Sequence, residues 1–156
     1  MSKVLLITGG SRGIGATTAL IAAKKGYAVA VNYQSDQTRA DDVVKEIIKA
    51  GGKAIAVRGD VSKPDDVTRM FDEAEANLGK ITHVVNSAGI TGKSSRLVDT
   101  PLDVIRQTID INLMGAIYVS REAVKRMSTR LGGKGGVIIN VSSDRKSTRL
   151  NSSHRH

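Results

Sequence analysis

Short apolar runs alternate with longer amphipathic stretches along the chain, and that alternation predicts its elements. Val4-Leu-Leu-Ile7 is continuously apolar and ends in Thr8-Gly9-Gly10, as expected of a strand buried on both faces. From Gly13 to Lys25 the apolar positions Ile14, Ala19, Leu20, Ala22 and Ala23 recur at near-helical spacing, and Gly26 closes the stretch. A second strand is predicted over Tyr27–Val31, a second helix from the apolar face of Val43, Val44, Ile47 and Ile48, and a third strand over Ala54–Val57. Val67, Met70, Phe71, Ala74 and Leu78 keep the spacing of a third helix, opened by Ser62 and Pro64 and closed by Gly79. Ile81–Val85 reads as a fourth strand. After a polar loop over Thr91–Leu97, Pro101 opens a long helix that Gly132-Gly133 ends. Its Ile105, Ile109, Leu113, Ala116, Ile117, Val124 and Met127 are expected on one buried face. Val137–Val141 is the fifth strand.

Short strands separated by helices call for a parallel sheet covered on both faces, because parallel neighbours need helical crossovers. The expected class is therefore doubly wound α/β. At 156 residues the chain suits one domain, and 40% hydrophobic with 25% charged residues is ordinary globular composition. No apolar run approaches the ~20 residues of a membrane span. Met1-Ser2-Lys3 leads straight into a strand without a secretory plan, so a cytoplasmic protein without a membrane partner is expected. The absence of cysteine excludes disulfides, thiolate zinc sites and a cysteine nucleophile, and no metal site is expected.

The net charge of +9 first suggests a nucleic-acid partner. A third of that excess falls within residues 144–156, and the chain has only four aromatic residues and no recognised nucleic-acid motif. A basic nucleic-acid binder is kept as an alternative, and no nucleic acid is expected as partner. Residues 144–154, DRKSTRLNSSH, are similar over their whole length to the conceptual translation of a common sequencing-library adapter. They are therefore set apart as a non-native basic tail, 144–156, beside a partial nucleotide-binding domain, 1–143. The adapter's first base would complete any serine codon beginning TC, which leaves Ser143 on the protein side.

Thr8-Gly9-Gly10-Ser11-Arg12-Gly13-Ile14-Gly15 joins the first strand to the first helix. Gly9 permits a tight turn, Gly13 lets a ligand approach the backbone, and Gly15 lets the helix pack on the strand. Free N–H groups at the helix start then face an anion. Glycines at a turn are often only a turn; their place between strand and helix in a βαβ unit is what favours a phosphate site.

This motif resembles the N-terminal fingerprint of the short-chain dehydrogenase/reductase family. Further motifs agree: Asn86-Ser87-Ala88-Gly89 after strand four, Asp60-Val61 after strand three, Asn112 in the long helix and the second serine of Asn140-Val-Ser-Ser143. The resemblance implies a Rossmann-like sheet, incomplete here at about five strands, in order 3-2-1-4-5. It implies hydride transfer between a nicotinamide and a carbonyl or alcohol substrate. Cofactor contacts are implied for Gly9, Ser11, Arg12, Gly13, Ile14, Gly15, Asn32, Asp60, Val61, Asn86, Ala88 and Gly89, and catalytic roles for Asn112 and Ser143. Asn32, rather than an acidic residue, ends strand two, and Arg12 supplies a nearby cation. NADP is therefore preferred and NAD possible, with Asp36 as a counter-indication.

In the family a Tyr acts as acid/base, with a Lys four residues on, about a dozen residues past the Ser. None of Tyr27, Tyr33 and Tyr118 has a Lys at that spacing. The expectation is a C-terminally truncated oxidoreductase, inactive by itself, whose full-length parent forms a homo-oligomer. A dinucleotide-binding module without catalysis is the alternative.

Overall fold

The computed structural model describes residues 2–92 and 95–143. Five parallel strands form one sheet in the order β3-β2-β1-β4-β5, as the resemblance implies. The strands are β1 (Val4–Thr8), β2 (Ala28–Tyr33), β3 (Ala54–Arg58), β4 (His83–Asn86) and β5 (Val137–Asn140). β1 is central. Leu6 pairs with Ala30 on one side and with Val84 on the other.

The continuous apolar run of β1 is explained by alternation of its side chains between two cores. Val4 and Leu6 join Phe71, Met70, Val84 and Val119 beneath α3 (Pro64–Leu78) and α5 (Ala116–Met127). Leu5 and Ile7 join Val29, Val31 and Ile47 beneath α1 (Gly13–Lys24) and α2 (Gln37–Lys49). Each fully buried Leu, Ile, Val or Phe contributes about 1.5–3 kcal/mol relative to exposure. The first three helices lie where the periodicities predict; α3 buries its whole expected face, whereas Ile14 on α1 and Ile48 on α2 are exposed. Asp36 caps α2 by accepting the Arg39 N–H at 3.2 Å, and Pro64 opens α3.

The long helix departs from expectation. It is α4 (Leu102–Ile109), a π-helical turn over Asp110–Gly115, and α5, running without a break. Ile109, Leu113, Ile117 and Val124, expected to be buried, are 47–55% exposed. Met127 is buried as expected, and the rest of the inward face is Ile111, Gly115, Val119 and Ala123. Close approach selects this face: a Cβ at Gly115 would lie 2.7 Å from Cγ2 of Val61, so large aliphatics do not fit there. The π turn also inserts extra backbone and shifts the phase of the face that follows.

At the N-terminal edge of the sheet, the Thr82 hydroxyl donates to the Val4 carbonyl at 3.1 Å and lies 2.8 Å from Nδ1 of His83. Tyr27 meets the His83 ring edge-on, with centroids 4.9 Å apart. Burial and then the charge of Lys3 hold the His83 pKa below its usual 6.5. As pH falls through 6.5 the unfolded chain takes up a proton that the folded chain resists, so stability falls with it. Melting temperature is expected to drop between pH 7.5 and 5.5, with a shallower drop in His83→Gln. Equal slopes for the two proteins would contradict this.

The cleft at the C-terminal edge of the sheet

The C-terminal ends of β1, β2 and β3, together with the loop after β4, enclose a cleft of about 430 Å³. Its floor is the turn between β1 and α1. Gly9 (φ +62°) packs so closely on the segment after β4 that a Cβ would sit 2.8 Å from Ala88 Cα. Gly13 (φ +56°) lines the cleft, and a Cβ there meets nothing within 4 Å. Gly15 lies behind the cleft rather than on it, since its Cβ would meet the Gly9 carbonyl oxygen at 2.2 Å. Ser11, Arg12 and Ile14 line the cleft, and Ile14 is 66% exposed there instead of joining the core.

Arg12 is the N-cap of α1 but supplies no side-chain cap. The first-turn N–H groups therefore point, uncapped, at open space between glycine backbones. That cradle fits a pyrophosphate, and an added Cβ at Gly13 would intrude on it. The residues present thus fit a dinucleotide.

Two polar side chains hold the cleft together from behind. The Thr8 hydroxyl accepts the N–H groups of Ser87 and Ala88, both at 3.1 Å, tying the end of β1 to the loop after β4. Asn32 is 2% exposed. Its Oδ1 accepts the Gly9 N–H at 3.2 Å and its Nδ2 donates to the carbonyls of Val57 and Gly59. Asn32 lines the cleft, with its amide committed inward to the glycine turn and β3, and Tyr33, Gln34, Ser35 and Asp36 continue the rim. The sequence reading assigned no contact to Thr8 or Gln34; a Thr ending a buried strand just before the glycine turn was the available signal for Thr8.

Asp60 and Val61 line the cleft as expected. The Asp60 carboxylate accepts the N–H and hydroxyl of Ser62 at 2.9 and 2.6 Å and the Gln34 amide at 3.1 Å. Its own N–H donates to Asp66 at 2.8 Å, and this bond, with Arg69, holds the Asp66 carboxyl below its usual range. Ala88 and Gly89 also line the cleft.

Asn86 lies deeper, on a small cavity that it shares with Asn112 and Asn140. Its Nδ2 donates to Asn140 Oδ1 at 2.7 Å and to Ser120 at 3.2 Å, while its buried Oδ1 has no partner among the described residues. Asn112, on the π turn, clasps Ile90 reciprocally: Oδ1 accepts the Ile90 N–H at 2.8 Å and Nδ2 donates to its carbonyl at 2.7 Å. Ser143, three residues past β5, is exposed and lines neither cavity. Asn112 and Ser143 line no common cavity. The tail over 144–156 lies outside the described residues, and among the described residues no cluster suited to a metal ion and no helix long and apolar enough to cross a membrane is found.

Comparison with known proteins agrees with this geometry. A family model described as short chain dehydrogenase matches residues 3–152. An uncharacterised oxidoreductase of Escherichia coli (strain K12), YgfF, is 41% identical over 140 residues, covering 90% of this chain and 57% of the relative. A 3-oxoacyl-[acyl-carrier-protein] reductase of Synechocystis is 41% identical over 142 residues, covering 91% and 56%. The crystal structure of a dehydrogenase/reductase from Sinorhizobium meliloti 1021 superposes with a TM-score of 0.82 at 36% identity, covering 92% of this chain and 55% of that one. The chain spans just over half the length of the curated relatives it matches.

Proposed function

Because the chain belongs to the short chain dehydrogenase family, we propose that residues 1–143 are the dinucleotide-binding part of an NADP-preferring oxidoreductase acting on a small carbonyl or alcohol. The observation that carries this reading is the uncapped helix start between Gly9 and Gly13 at the cleft floor. A nicotinamide dinucleotide held in the cleft would supply or accept the hydride. The chain's own residues bind and orient it: α1 N–H groups take the pyrophosphate, Arg12 a 2′-phosphate, and Asp60-Val61 the adenine side. Asn112 acts as a positioning residue through its clasp on Ile90, and Ser143 is the hydroxyl for the substrate oxygen. A carbonyl substrate is in keeping with the Synechocystis reductase, whose name specifies a 3-oxoacyl group.

No tyrosine in these residues has a lysine four positions on. A phenol needs a neighbouring ammonium to act as a base near neutral pH, so the chain alone binds dinucleotide without turning it over. The exposed stripe of Ile109, Leu113, Ile117 and Val124 supports homo-oligomerisation of the full-length parent. The cytoplasm is the proposed location, and a dinucleotide sensor without catalysis is the second reading, favoured by the position of Ser143 outside the cleft.

Calorimetric titration tests the cofactor assignment. The 156-residue chain is expected to bind NADP+ more tightly than NAD+, and Arg12→Ala to lower that ratio by roughly 10- to 100-fold. An unchanged ratio would remove Arg12 from the 2′-phosphate site, and carbonyl reduction by the purified chain would overturn the claim of silence.

A further inference from the structure

The cleft rim at the end of β2 carries a carboxylate, Asp36, where an NADP-preferring site is least expected to have one. Its environment explains how the two coexist. Oδ1 of Asp36 accepts the backbone N–H of Arg39, and Oδ2 lies 3.2 Å from Arg39 Nε, so both oxygens are held by one residue. The first turn of α2 contains no acidic residue. The other carboxylate at this end, Asp60, is bonded to Ser62 and Gln34. Asp36 is 44% exposed and therefore meets any anion entering the rim unless its partner covers it.

We infer that Arg39 is a specificity-determining positioning residue, whose guanidinium against Oδ2 of Asp36 offsets the charge of that carboxylate, so that the rim accepts a doubly charged 2′-phosphate. The inference rests on the reading of the cleft as a dinucleotide site. Without Arg39, Asp36 repels a ligand bearing the 2′-phosphate and leaves one bearing a 2′-hydroxyl unaffected or favoured. Between solvent-exposed charges several ångströms apart, that repulsion amounts to roughly three- to tenfold in affinity and shrinks with salt.

A double-mutant cycle read by titration with NADP+ and NAD+ tests it. Arg39→Ala is expected to lower the NADP+/NAD+ affinity ratio three- to tenfold at low ionic strength, with most of the change lost in 0.5 M salt. Asp36→Asn keeps a good helix cap and is expected to raise the ratio. In the Asp36→Asn background, Arg39→Ala is expected to change nothing. Melting temperatures of all variants report whether α2 remains folded. A ratio change on Arg39→Ala that persists in the Asp36→Asn background would mean that Arg39 contacts the phosphate directly, and would overturn the inference. So would an equal loss for both dinucleotides. Equal wild-type affinity for the two dinucleotides counts against the NADP preference alone, because the pair is judged by the change in ratio. Failure to bind either would overturn both.

Discussion

Arg126→Ala is expected to destabilise the chain by about 3–5 kcal/mol, the range for removing one partner of a buried ion pair. Arg126 is 17% exposed and joins α5 to α3. Nε meets Glu122 at 2.8 Å, Nη1 meets Glu75 at 3.0 Å and Nη2 meets Asp72 at 2.7 Å. Its guanidinium also lies 5.4 Å from the centroid of Phe71, at the heart of one core. Burial alone would lower its pKa, but the bonds to Asp72, Glu122 and Glu75 outweigh burial and hold it above the usual arginine value. Asp72 is 64% exposed and returns to water when the arginine goes, so little depends on it. Glu122 and Glu75, at 8% and 12%, cannot. Truncation therefore leaves the Glu122 carboxylate unpaired between helices, whereas Glu75 keeps Lys80 Nζ at 3.3 Å and the Ile81 N–H at 3.2 Å. Urea denaturation at constant slope measures the effect. Arg126→Lys keeps a charge but loses the fork, and should fall between wild type and alanine. A loss below 1 kcal/mol for Arg126→Ala would show that Glu122 reaches solvent by a small shift of α5.

The second large effect is expected at Gly15, where alanine should abolish most dinucleotide binding while the sheet persists. Its Cβ would meet Gly9 O at 2.2 Å, Gly9 C at 2.9 Å and Gly10 Cα at 3.1 Å. All three are backbone atoms, so no rotamer relieves the clash, and either α1 or the glycine turn must move. Overpacking of this kind costs roughly 1–3 kcal/mol in stability. Displacing the cradle by about 1 Å should cost of order 100-fold in NADP+ affinity, by analogy with misplaced catalytic groups. Titration together with circular dichroism separates the two losses. Retained affinity in a folded Gly15→Ala protein would mean that the cradle is not set by the contact of Gly15 with Gly9.

These arguments mark where sequence and structure part. The elements are legible because each carries one continuous apolar run or one apolar period, although the run of β5 lies largely exposed at the edge of the sheet. The turn from Gly9 to Gly15 was legible because close backbone approach leaves glycine as its signature. The face of α5 was misread for a physical reason: large aliphatics suggest a core, yet Gly115 and Ala123 occupy the tight contact while Leu113 and Ile117 face outward. Asn32 was placed at the right end of the right strand, but no spacing rule reveals that its amide turns inward to Gly9. Pairs such as Asn112 with Ile90, 22 residues apart, depend on the relative placement of distant elements, which local pattern does not contain.

The central position of β1 has a consequence in time. Its first neighbour, β2, emerges soon after it, but the Thr82 hydroxyl that meets Val4 comes 78 residues later. At about 5–20 residues per second of synthesis, one edge of the most buried strand stays open for roughly 4–16 s on the ribosome. During that interval its N–H and C=O groups are available to other chains. The first half of the molecule therefore waits, exposed to mispairing, for a partner that has not yet been translated.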